Sequence, residues 1–140
     1  KKWRKLMVIS YKNLHEIEKI NLHDAYIENV TYNHIDKKIN IKLESEWEKN
    51  DYDLDFHNVL YYEMTCCDFW GSGYNVICWS KLDTTEIFDK LLRLEMVENS
   101  RSRGTNQEPM DLFEFFGIEI LINSGDRLRI ICKSIDVNKF

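Results

Sequence analysis

His23-Asp24 is the histidine–carboxylate pair of this 140-residue sequence that most invites comparison with metal-dependent hydrolases. Such enzymes need further His and Asp ligands presented by a helical bundle, and the remaining histidines, His15, His34 and His57, are spread along a chain that reads as strands. At the start of a strand, a His-Asp pair more often satisfies backbone groups or its own neighbour. A pocket at His23 and Asp24, as in a small hydrolase-like enzyme, is therefore an alternative reading. No catalytic residue is assigned.

Asp51, Asp53 and Asp55 have the spacing of the first ligands of a calcium loop, but that loop needs glycine at its sixth position and glutamate at its twelfth. Phe56 and Tyr62 stand there instead. Cys66, Cys67, Cys78 and Cys132 form no CxxC spacing for zinc or redox work, and adjacent cysteines pair only under strain. They read as reduced thiols. Gly71-Ser72-Gly73 lacks the third glycine, the lysine and the helix of a phosphate loop, and no serine sits in a nucleophile elbow. No metal and no cofactor is expected.

Charge points to a different kind of chemistry. The net charge is −5, yet Lys1, Lys2, Arg4 and Lys5 all fall at the start; without them 15 basic residues face 24 acidic ones, a balance of −9. An acidic body argues against binding nucleic acid, which needs a basic face, and suits a basic protein partner approached under electrostatic steering. Glu44, Glu46, Trp47, Glu48, Asp51 and Asp53 are the candidate partner-binding residues. No apolar run approaches the roughly 20 residues of a membrane span, and no signal peptide is evident. The expectation is a soluble cytoplasmic protein of unknown oligomeric state.

The elements that must position these side chains are mostly strands. Ile39, Ile41 and Leu43 alternate with polar residues, the period-2 pattern of a strand with one buried face. Setting Tyr32 opposite Ile39 and Val30 opposite Ile41 puts both apolar sets on one face, with a loop of His34-Ile35-Asp36-Lys37. Leu54 and Phe56 point inward while Asp53 and Asp55 point out; the phase then shifts near Asn58, which predicts a one-residue bulge at His57 or Asn58. Asp68 to Tyr74 reads as an aromatic-flanked turn leading to a strand at 75–80, with Trp70, Tyr74 and Trp79 divided between the core and an exposed aromatic patch.

Near the end, a three-residue loop Asn123-Ser124-Gly125 sets Ile120 opposite Leu128 and Ile118 opposite Ile130. A two-residue loop would instead face isoleucines with arginines, at roughly 1.5 to 3 kcal/mol for each misplaced large side chain. Asn13 with Glu16, and Asp83 with Glu86, have the spacing of capping boxes ahead of short helices. Beyond Leu91 the sequence Leu92-Arg93-Leu94-Glu95-Met96 alternates, favouring a strand over continued helix. Residues 98–110 hold the only proline, lack apolar periodicity and predict an exposed flexible loop. Residues 1–10 fit either a first strand or a segment outside the fold.

Together these features predict a mainly β fold, with α+β as the variant. The whole chain, 1–140, is read as a single domain, an antiparallel sheet or sandwich of about six to eight strands with one or two short helices. A chain of this length buries roughly two-thirds of its unfolded surface unaided. The runs Leu22-His23-Asp24-Ala25-Tyr26-Ile27-Glu28-Asn29-Val30-Thr31-Tyr32, Leu54-Asp55-Phe56-His57-Asn58-Val59, Phe69-Trp70-Gly71 and Ser124-Gly125-Asp126-Arg127-Leu128-Arg129-Ile130 resemble small bacterial proteins without assigned activity. Some of those look like immunity proteins of bacterial toxin systems. The resemblance spans Leu22 to about Cys132, carries over no catalytic residue, and implies a protein-binding module, an acidic inhibitor of a toxin. A structural, homo-oligomeric domain is the third reading.

Overall fold

The computed structural model describes residues 4–45, 50–101 and 111–140. Among them are nine strands: β1 (Arg4–Ser10), β2 (Tyr26–Asn33), β3 (Lys38–Ser45), β4 (Asn50–His57), β5 (Tyr61–Met64), β6 (Val76–Leu82), β7 (Phe116–Ile122), β8 (Arg127–Cys132) and β9 (Ser134–Lys139). A 3-10 helix covers Leu14–Lys19 and an α-helix, α1, covers Thr85–Arg101. The fold is mainly β, as expected, with more strands than the six to eight predicted.

The strands form two antiparallel sheets, ordered β1-β9-β4-β3-β2 and β5-β8-β7-β6. Alternation explains both. Ile39, Ile41 and Leu43 on β3, Leu54 and Phe56 on β4, and Ile135 and Val137 on β9 are buried along the first sheet, and Ile118, Ile120, Leu128 and Ile130 are buried along the second. These side chains join one hydrophobic cluster. At roughly 1.5 to 3 kcal/mol for each large side chain removed from water, this shared interior is the main force setting strand register.

Both hairpin registers are those the apolar pattern requires: Val30 faces Ile41, Tyr32 faces Ile39, Ile118 faces Ile130 and Ile120 faces Leu128. Gly125 takes the left-handed conformation its three-residue loop demands, at φ 85°. The first strand is part of the fold, pairing with β9 from Arg4 to Ser10.

Three local expectations are corrected. The phase shift at Asn58 is not a bulge within one strand. Asn58 turns left-handed (φ 53°), and the chain leaves β4 of the first sheet to become β5 of the second. Asn13 does not cap its helix: its Oδ1 accepts from Ser10 N at 2.7 Å and its Nδ2 donates to Val8 O at 3.0 Å, folding back onto β1. The alternation at 92–96 is helix, not strand. α1 continues through it to Arg101, so 98–101 extend the helix, while 102–110, the rest of the expected loop, lie outside the described residues. At the start of α1, Asp83 Oδ1 accepts from Thr85 N at 3.1 Å and from Thr85 Oγ1 at 2.8 Å, which supplies the missing end partner.

Candidate protein-binding face

On β3 the even-numbered residues point away from the core and on β4 the odd-numbered ones do, so Glu44, Asp51 and Asp53 share the outer face of the first sheet. Glu44 stands directly opposite Asp51, and Asp53 opposite Lys42. Asn40 Nδ2 donates to Asp53 Oδ1 and, at 2.8 Å, to Asp55 Oδ1, which fixes that pair of carboxylates. Glu46, Trp47 and Glu48 lie outside the described residues.

Glu28, at the irregularity between Ile27 and Asn29 on β2, adds a further carboxylate. The closeness of its carboxylate to Glu44, foremost, with lesser contributions from desolvation and from the Asp51 charge, pushes the Glu44 pKa up. Like charges directly opposite in a sheet destabilise it. This corner of the molecule therefore holds negative charge against its own repulsion.

Aromatic rings border the corner. Tyr26 pairs with Glu44 across β2 and β3, is exposed, and meets Tyr74 edge-to-face at 5.9 Å between ring centroids. Phe69, Trp70 and Tyr74 are 63%, 66% and 61% exposed on the segment between β5 and β6, whereas Trp79 is buried with its Nε1 donating to Ile20 O at 3.1 Å. The expected division of the tryptophans and Tyr74 between core and surface is thus observed.

The aromatic loop is held at its root by a buried carboxylate. Asp126 accepts from Thr65 Oγ1 at 2.7 Å, Cys67 N at 2.8 Å and Asp68 N at 3.1 Å, and from Ser124 Oγ at 2.7 Å. These donors, the Cys67 amide foremost, hold its pKa down at about 2. Trp70 N donates to Ser124 O at 2.8 Å, and a side chain on Gly125 would meet the Trp70 ring at 2.8 Å. A backbone tied at these points loses less freedom when something docks on the rings it carries. Glu28, Tyr26, Phe69 and Asp126 were not singled out as site residues by the sequence; Asp126 has its loop partners about sixty positions away, so no local pattern signals it.

The His23-Asp24 pair serves a strand edge. His23 Nδ1 donates to Ile77 O at 2.7 Å, its Nε2 lies 3.4 Å from Asp24 Oδ2, and Asp24 N, on a left-handed residue at φ 62°, donates to Val76 O at 2.8 Å. Together they cover the start of β6. His23 lines a shallow cleft of about 400 Å³ with Ile20, Ile77 and Cys78; Asp24 is not part of its wall. Among the described residues no group of three or more His, Cys, Asp or Glu could hold a metal ion, and no helix is long and apolar enough to cross a membrane. Cys66, Cys67 and Cys78 are exposed free thiols, and burial pushes the Cys132 thiol up to about 12, which keeps it protonated and inert. No family model and no curated protein matches this chain.

Proposed function

We propose that this chain is a protein-binding module that takes a basic partner on the face formed by Glu28, Glu44 and Asp51 with Tyr26 and Tyr74, extended by Phe69 and Trp70. One observation carries the reading: three neighbouring carboxylates, with Glu44 directly opposite Asp51, lie beside the exposed, edge-to-face rings of Tyr26 and Tyr74. A cationic side chain entering there relieves the repulsion and finds a ring face to rest on, and tryptophan and tyrosine are the residues that most often dominate binding energy at interfaces. In the toxin-immunity setting, such a module would act as an inhibitor that covers a basic surface of the toxin.

The reading is tested by affinity capture from the cell that makes the protein, at low and at high salt. A basic protein held at low salt and released at high salt supports it, because rim charges screen strongly. Capture that is indifferent to salt, or that recovers nothing basic, counts against it.

A further inference from the structure

At the opposite end of the charge balance lies a cavity with two lysines in its wall. The crossings β4-to-β5 and β8-to-β9, which carry the chain between the two sheets, run side by side there, tied by Lys133 N donating to His57 O at 3.1 Å. The β2-β3 loop meets them: Val59 N donates to Lys37 O at 2.8 Å. Between these segments is a space of about 380 Å³, walled by Tyr32, Lys37, Val59, Leu60, Phe115 and Lys133. The hollow is open to solvent, like the cleft beside His23, and its wall combines apolar side chains with two charges.

The wall has both parts. Lys133 Nζ lies 5.2 Å from the centre of the Phe115 ring and 3.7 Å from the Glu114 carboxylate, which is 55% exposed. Lys37, exposed on the β2-β3 loop, has its Nζ 3.3 Å from His34 Nδ1. Tyr32 is backed by Tyr62 at 4.4 Å between centroids, and Tyr32 OH lies 3.4 Å from His34 Nδ1. Lys37 is also left-handed, at φ 51°, a conformation that glycine or asparagine would hold more cheaply. Lys37 and Lys133 thus put two basic side chains beside one hollow in a protein whose net charge is −5.

We infer that this cavity binds a small aromatic anion of the aryl carboxylate class, its flat ring lying against Tyr32 and Phe115 and its carboxylate between Lys37 and Lys133. A point charge on each lysine suits a carboxylate without demanding one fixed geometry. The site is distinct from the acidic face and does not depend on it.

The test is a titration with 2-naphthoate followed by amide chemical shifts, with 2-naphthamide and acetate as probes lacking the charge or the ring. Saturable shifts at Lys37, Val59, Leu60 and Lys133 with naphthoate, and affinity at least about tenfold weaker for the amide and for acetate, are expected. Lys133→Gln and Lys37→Gly should each weaken naphthoate by about tenfold; the glycine variant also keeps the left-handed backbone, so a loss of binding with an unchanged spectrum elsewhere is a loss of charge. Equal affinity for the amide, shifts centred instead on Phe69 and Trp70, or no saturation would overturn the assignment.

Discussion

Glu44 and Asp51 stand directly opposite one another on β3 and β4, two carboxylates in a position where sheets ordinarily place complementary pairs. The Glu28 carboxylate crowds the first of them, so the fold carries a charge conflict on an outer face. Departures of this kind from local stability are most common at functional sites.

Glu44→Gln should therefore stabilise the free protein at neutral pH while weakening capture of the basic partner. The sign follows from the raised pKa: the fold penalises the charged carboxylate, so the penalty is present above the folded pKa and vanishes as the pH falls through it. Urea denaturation should show the variant ahead at pH about 7 and level with the parent near pH 4 or below. A variant less stable than the parent at neutral pH contradicts the assignment of repulsion to this corner.

Asp126 behaves in the opposite sense. Its pKa is held down at about 2, so its contribution is complete above the ordinary carboxylate range near pH 4 and is lost as pH falls towards about 2. The melting temperature of the parent should drop across that window, and Asp126→Asn should be less stable at neutral pH with a flatter acid limb. Because Asp126 anchors Thr65, Cys67 and Asp68, the same variant should also loosen Phe69 and Trp70, seen as faster amide exchange in 65–70.

Gly125→Ala should cost about 2 kcal/mol and Gly125→Val more. The position is left-handed, which alone costs an L-residue roughly 1 to 2 kcal/mol, and an added Cβ meets Trp70 at 2.8 Å. Urea midpoints of the two variants measure it; an unchanged midpoint for Gly125→Val would mean that the β7-β8 loop is not the one described.

Trp79→Phe should destabilise by about 1 to 3 kcal/mol, since it leaves Ile20 O without the indole N–H in a buried setting. It lies away from the aromatic loop, so capture of the basic partner should be unchanged once the protein is folded. That makes it the stability control for variants of the acidic corner.

The registers of the two hairpins were legible in the sequence because a period of two and a short loop leave few alternatives: only one alignment buries Val30 with Ile41 or Ile118 with Ile130. The shift at Asn58 was also visible, but a bulge and a change of sheet displace the alternation equally, and only the partner strands tell them apart. In α1, Leu92, Leu94 and Met96 mimic a strand; Leu94 and Met96 are exposed, so their spacing reports no buried face at all. Of the acidic residues singled out, Glu44, Asp51 and Asp53 do gather on one face, since strand parity fixes this. Glu28 was hidden by the irregularity in β2, and the Asp126 anchor by the distance in sequence to its partners.

The most direct test places a photo-crosslinking amino acid at Tyr74 in the cell that makes the protein, with and without the triple change Glu28→Gln, Glu44→Gln and Asp51→Asn. The acidic-aromatic face predicts a covalent adduct with a basic protein whose yield collapses in the triple variant. An adduct formed equally well by the triple variant, or none in the parent, would contradict it.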